Sequence, residues 1–284
     1  MASDQADGSV AAVAEVRAPQ VMGVLNVTPD SFSDGGRWAD HDAAVAHGLR
    51  MAAAGAHLLD VGGESTRPGA TRPSSEEELR RVLPVVRDLV AEGLTVSVDT
   101  MRAATAEAAL GAGATLVNDV SGGRADPRMA GLVAEAGCRF IAMHWRGHSA
   151  HMDELANYDD VVEDVVAELT QQVDALLAAG LAPGQLVLDP GFGFSKTAEH
   201  NWRLLAHLPR LVALGHPVLV GTSRKRFLAA YDEQGVPDAP ADRDLASAVT
   251  SVLAADARAW AVRVHDVAAT CRALQVWQEV QRAR

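Results

Sequence analysis

Short apolar runs alternating with long Ala-rich stretches predict an α/β chain folded as a single (β/α)8, TIM-type barrel, with its active site at the C-terminal ends of the strands. Three observations carry this reading: eight Val- and Leu-rich runs, the Gly, Asp, Ser or Pro that follows each, and a polar residue at or just past the end of every run. The runs lie at 21–27, 57–61, 95–98, 115–117, 140–143, 186–188, 217–220 and 259–264. Eight such units in 284 residues suit a closed barrel better than an open doubly wound sheet.

Taken in order, residues 1–20 carry Asp4, Asp7 and Glu15 among Ala, Ser and Gly, with no basic segment ahead of an apolar one. They are expected to form a disordered leader without an export signal, and 21–284 to form one domain. Between the fifth and sixth runs, Val162, Val165, Val166, Leu169, Val173 and Leu176 recur at helical spacing, as do Val267, Cys271, Leu274 and Trp277 after the eighth. Such stripes pack on the outside of a sheet. The Pro- and Asp-rich piece 232–244 reads as an exposed loop after the seventh strand. In the eighth run Ala261, Arg263 and His265 share one face and Trp260, Val262 and Val264 the other. The bulky set is expected to face the helices, leaving Arg263 and His265 to reach into the barrel mouth and grip one anion together.

Asp and Glu number 37 against 25 Lys and Arg, a net charge of −12, which argues against nucleic acid or an acidic membrane surface as partner. The apolar stretch 245–255 is too short to span a bilayer. Cys138 and Cys271 form no metal or redox spacing and read as small buried side chains. A cytoplasmic protein is expected.

The polar strand ends are Asn26, Asp60, Asp99, Asn118, His144, Asp189, Ser223 with Lys225, and Arg263 with His265. Alone, Asp60 or Ser223 reads as a turn former or helix cap. Together these residues converge on the face where barrel enzymes keep their chemistry. Lys196 and Lys225 are the only lysines; the position of Lys196 reads as chance, whereas Lys225 follows an apolar strand. A phosphate-loop reading of 189–197 fails because Pro190 and Ser195 stand where that loop needs glycine. His144, His148 and His151 show no second-shell pattern that would support a zinc site.

Seven motifs, in order, resemble the dihydropteroate synthases, the sulfonamide-inhibited enzymes of folate biosynthesis. They are Asn26-Val-Thr-Pro-Asp-Ser-Phe-Ser-Asp-Gly-Gly36, Glu64-Ser-Thr-Arg-Pro-Gly69, Val96-Ser-Val-Asp-Thr100, Asn118-Asp-Val-Ser-Gly122, Asp189-Pro-Gly-Phe-Gly-Phe194, Ser223-Arg-Lys-Arg-Phe227 and Arg263-Val-His-Asp266. The resemblance implies an Mg²⁺-dependent condensation of para-aminobenzoate with hydroxymethyl-dihydropterin diphosphate, by a homodimer. It assigns Asp99, Asn118, Asp189 and Lys225 to the pterin, with Asp99 facing positive charge that develops as diphosphate leaves. Arg263 and His265 would neutralise the diphosphate, and Asn26 would be the protein ligand to Mg²⁺. Catalytic roles fall to Asp99, Lys225 and Arg263. Thr66, Arg67 and Pro68, with the loop at 34–36, would close over the substrates. The aminobenzoate ring would lie against Phe194 and Pro68, its carboxylate at the start of a helix after Ser223.

Ser195 and Arg258 stand where the family often carries Gly. Two other functions are open to this barrel: a corrinoid-dependent methyltransferase acting on methyl-tetrahydrofolate, and a non-catalytic paralogue. The first releases no diphosphate, so the pairing of Arg263 and His265 with Ser223 and Lys225 favours the synthase. The second would be expected to lose loop motifs that this chain keeps.

Overall fold

A computed structural model describes residues 17–28, 36–64, 72–147, 154–231 and 239–284. Eight parallel strands form one sheet: β1 (Gln20–Asn26), β2 (Leu58–Gly62), β3 (Val96–Asp99), β4 (Leu116–Asp119), β5 (Arg139–Met143), β6 (Leu186–Asp189), β7 (Leu219–Val220) and β8 (Ala261–Val264). Their order is β6-β5-β4-β3-β2-β1-β8-β7, and a parallel bridge between Leu188 and Val218 brings the two ends together into a nearly closed barrel. β1 starts at Gln20, one residue inside the segment expected to be a leader.

The outer ring contains α1 (Gly36–Ala53), α2 (Ser75–Ala91), α3 (Ala103–Gly111), α4 (Met129–Ala136), α5 (Val161–Ala178), α6 (Ala198–Ala206), α7 (Leu208–Val212), α8 (Asp244–Asp256) and α9 (Val267–Arg282). Side-chain caps start several of them: Ser74 for α2, Asp160 for α5, Thr197 for α6 and Asp266 for α9, each accepting from a backbone N–H of the first turn. The α5 stripe packs on the sheet as its spacing predicts, with Val162, Val165, Leu169, Val173 and Leu176 buried and Val166 at the edge. No helix among the described residues is long and apolar enough to cross a membrane.

Strand alternation builds the barrel interior in layers. Met22, Leu58, Leu116, Ile141, Val187, Leu219 and Ala261 form an inner apolar cluster, completed on β3 by buried Ser97. Two residues further along the same strands stand Val24, Asp60, Asn118, Met143, Asp189, Gly221, Arg263 and, on β3, Asp99. The period of two therefore converts an apolar floor into a polar mouth one layer up.

Several expectations are corrected. Trp260 packs against the inner cluster instead of the helices, with the Arg139 guanidinium 5.3 Å from its ring, because it precedes β8 and closes the floor before the alternation begins. Cys138 and Cys271 are only partly buried. Ser223 is followed by a 3-10 helix, Arg226–Tyr231, and no α-helix begins there. Within 232–244, residues 239–242 are exposed as expected and form most of a 3-10 turn, Pro240–Arg243, that leads into α8; Arg243 at its end is buried and donates to the Arg224 carbonyl. Ser195 and Arg258 hold φ of 47° and 63°, the left-handed backbone that Gly adopts most easily.

Ile141 is fully buried in the floor. Ile141→Ala is expected to lower unfolding free energy by about 2–5 kcal/mol, measured by urea titration. A loss below about 1 kcal/mol would mean the floor repacks freely.

Candidate active site

Arg263 lies at the centre of the mouth. Its Nε donates to Asp60 Oδ2 at 2.6 Å and a terminal nitrogen to Asp99 Oδ2 at 2.7 Å, while Asn118 Nδ2 donates to Asp60 Oδ2 at 2.8 Å. Four strands thus contribute one hydrogen-bonded group, in which the guanidinium joins two carboxylates and the amide donates to the inner one. Gly62 ends β2 beside Asp99; a Cβ there would sit 3.3 Å from the Asp99 Cβ, so the missing side chain leaves that carboxylate its place.

Beyond this group opens a small cleft. Asn118, Asp189, Lys225 and Arg263 give it polar groups, and Val120, Met143, Phe192 and Phe194 give it apolar walls. Asp189 Oδ1 accepts from the Gly191 N–H at 2.7 Å, and Lys225 Nζ lies 4.0 Å from the centre of the Phe194 ring. Carboxylate acceptors, an amide and fixed cations beside flat apolar walls suit a planar heterocycle with donors and acceptors along its edge.

Burial sets the electrostatics. Loss of solvation raises Asp99 to about 7, with Arg263 opposing and Asp60, Glu78 and Asp119 adding to the rise. Burial also raises Asp189, against the Gly191 hydrogen bond and the charges of Arg263 and Lys225. Lys225 is pushed down to about 8 by burial and by Arg263. Burial works against the charge on Arg263 too, but Asp60 and Asp99 overcome it and hold the guanidinium protonated.

The structure therefore brings together Asp99, Asn118, Asp189, Phe194, Lys225 and Arg263. Ser223 and His265 meet each other beside them: Ser223 Oγ is 3.0 Å from His265 Nδ1 and accepts the His265 backbone N–H at 3.2 Å. Two guanidinium nitrogens of Arg263 are engaged by the Asp60 and Asp99 carboxylates. Asn26 ends β1. Thr66, Arg67 and Pro68, with Asp34, Gly35, His148 and His151, lie outside the described residues.

Two readings from the sequence missed functional neighbours. Asp60 is neither a turn former nor a cap: it is fully buried inside β2 and pairs with Arg263. The available signal was a lone carboxylate within the apolar run Leu58-Leu-Asp-Val61, with no helix start near it. Lys196 is not a chance survivor: its ammonium lies 3.0 Å from His144 Nδ1 and donates to the carbonyls of Gly191 and Phe194. Its rarity as one of two lysines was the signal. Among the described residues no cluster of three or more His, Cys, Asp or Glu side chains could hold a metal.

The pterin binding enzyme family model matches residues 22–265. With a charged mouth at the strand ends of a (β/α)8 barrel, that match defines the class: the chain belongs to the pterin-binding enzyme family. The dihydropteroate synthase of Mycobacterium leprae is 58% identical over 260 residues, 90% of this chain and 92% of that protein. Two solved structures of the Xanthomonas albilineans dihydropteroate synthase superpose closely. The one with 4-aminobenzoic acid has TM-score 0.87 and 49% identity over 94% of both chains; the one with 7,8-dihydropteroate has TM-score 0.84 and 46% identity over 94% of this chain and 95% of that one. Within the family, this chain is a dihydropteroate synthase.

Asp99 is expected to act as a carboxylate and Lys225 as an ammonium. Protonation of Asp99 on descending below about 7 and loss of the Lys225 proton above about 8 should each lower kcat/KM. A bell with its maximum between these values is expected, the limbs belonging to the coupled cluster. Asp99→Asn should remove the acid limb; a wild-type profile without an acid limb would separate Asp99 from turnover.

Proposed function

We propose that the enzyme condenses para-aminobenzoate with hydroxymethyl-dihydropterin diphosphate to give dihydropteroate and diphosphate, in folate biosynthesis. The observation that carries this reading is the gathering of Asn118, Asp189, Lys225 and Arg263 around one cleft with apolar walls, with Asp99 held on Arg263. Asp189 and Asn118 meet the donor and acceptor edge of the pterin, and Lys225 meets a ring acceptor. The bond between the pterin methylene and the diphosphate oxygen breaks, the aminobenzoate nitrogen bonds to that carbon, and the amine gives up a proton. Positive charge that develops on the pterin faces Asp99, fixed by Arg263 before substrate arrives. The Asp99 carboxylate thus needs little reorganisation during the reaction.

Arg263 and the Ser223–His265 pair supply donors at the mouth for the diphosphate. Phe194 and Pro68 flank the aminobenzoate ring, whose carboxylate meets backbone N–H groups following Ser223. Thr66 and Arg67 are assigned to excluding water, which would otherwise capture the activated methylene. Asn26 offers one neutral amide oxygen at the end of β1. This fits Mg²⁺, which keeps several waters and takes substrate phosphate oxygens as further ligands. When bound, the ion supplies charge neutralisation of the departing diphosphate.

We also propose a cytoplasmic homodimer. The compartment accords with two free cysteines. Leu245, Val249 and Leu253 form an exposed i, i+4, i+8 stripe on α8, and Val276 and Val280 an exposed pair on α9, which packs beside it. Leu245→Asp with Val249→Asp should convert a dimer to a folded monomer in light scattering. An unchanged dimer would place the interface elsewhere.

Diphosphate release is the direct test of function. Release that requires both para-aminobenzoate and Mg²⁺, with dihydropteroate formed in equal amount, is expected; pterin binding without product would identify a non-catalytic paralogue. Asp99→Asn should fold normally and lose on the order of 10²-fold or more in kcat. Near-normal turnover would remove its electrostatic role.

A further inference from the structure

Behind the cleft, on the far side of the 189–194 loop, lies a second charged group that contributes nothing to the cleft lining. Lys196 extends back under its own loop, where its ammonium donates to Gly191 O at 3.2 Å, Phe194 O at 3.2 Å and His144 Nδ1 at 3.0 Å. All three N–H donors of an ammonium thus have a partner. An ammonium can only donate, so His144 Nδ1 accepts, and Nε2 carries the proton that faces Glu168 Oε2 at 2.9 Å. Arg146 closes the far end, donating to both Glu168 oxygens and lying 3.7 Å from the Tyr158 ring centre, while Tyr158 donates its hydroxyl to Ser195 O at 3.0 Å.

This tautomer belongs to the ammonium form of Lys196, which burial weakens by bringing that group down to about 7. Burial and the Lys196 charge drive His144 down to about 3, so the ring is neutral. Burial raises Glu168, but His144 and Arg146 overcome this and bring it to about 2. His144 is almost fully buried at the end of β5, where its backbone N–H donates to Asp189 O at 2.8 Å. Gly191, at φ 70°, passes so close that a Cβ there would lie 2.5 Å from the His144 carbonyl oxygen. The same Gly191 gives its N–H to Asp189 and its carbonyl to Lys196, joining the hidden group to the cleft within one residue.

We propose that Lys196, His144 and Glu168 are positioning residues: their hydrogen-bonded relay holds the 189–194 loop so that Asp189 and Phe194 stand in the geometry that receives the pterin and the aminobenzoate. This rests on the assignment of Asp189 and Phe194 to the substrates. None of the three relay side chains lines the cleft, so the relay acts on affinity through the loop.

Lys196→Met keeps the length of the stem and removes the ammonium. With folding verified by circular dichroism, it should raise KM for hydroxymethyl-dihydropterin diphosphate about tenfold or more and change kcat less. His144→Gln retains an acceptor for Lys196 and a donor for Glu168 and should stay within about threefold of the parent, whereas His144→Leu should reproduce the Lys196→Met loss. A pterin KM within about twofold of the parent in folded Lys196→Met, or equal losses for the Gln and Leu variants, would overturn the relay. If Lys196→Met does not fold, Glu168→Gln decides: a higher pterin KM supports the relay and an unchanged one overturns it. Asp189→Asn, measured in parallel by titration with the pterin alcohol, separates the two layers of inference. Retained affinity there would remove the Asp189 assignment and the relay with it; lost affinity beside an unaffected Lys196→Met would remove the relay alone.

Discussion

Arg263 must satisfy two buried carboxylates at once, and the mouth of the barrel is arranged around that requirement. A buried ion pair repays the loss of solvation only when its geometry is good and the remaining lone pairs are also met. Asp60 is fully enclosed and takes both the guanidinium and the Asn118 amide on Oδ2, while its buried Oδ1 has no hydrogen-bond partner among the described residues. Asp99 receives the guanidinium alone and is left poised near neutrality. The inner carboxylate thus anchors the arginine, while the outer one keeps its charge incompletely offset.

The apolar floor makes that arrangement rigid. Each polar residue of the mouth stands two positions beyond a floor residue on the same strand, so the packing of Leu58, Leu116 and Ala261 sets where Asp60, Asn118 and Arg263 can point. Short parallel strands buried on both faces allow little slippage of register, because a shift by one residue would exchange the mouth for the helix-facing core. Catalysis by preorganised charge needs this kind of support, since the donors and acceptors must already be in place when charge develops.

The 189–196 loop is held from both sides by charge. On the cleft side Asp189 takes the Gly191 N–H and Lys225 lies against Phe194; on the hidden side Lys196 gathers two loop carbonyls and His144. The left-handed backbone at Ser195 turns the chain so that Lys196 can reach back beneath it. The departure from Gly at that position therefore leaves the loop in the conformation that Gly would favour.

Local patterns in the sequence determined the eight strands, the sense of their alternation, the polar residue at each strand end and the family. All of these follow from contacts within a strand or from motifs a few residues long. Asp99, Asn118, Asp189, Lys225 and Arg263 were legible as one site because a barrel necessarily brings its strand ends together. Which of those groups bond to one another was not legible. Asp60 and Arg263 are 203 residues apart, and Lys196 and His144 are 52 apart. Such pairings depend on closure of β8 against β1 and on the path of a loop, so only the tertiary structure turned a buried Asp into an anchor and a lone Lys into the clasp of a loop. The same holds for Trp260: alternation defines the two faces of a strand, but whether the residue just before it joins the floor or the helices is decided by how the assembled strands leave space beneath them.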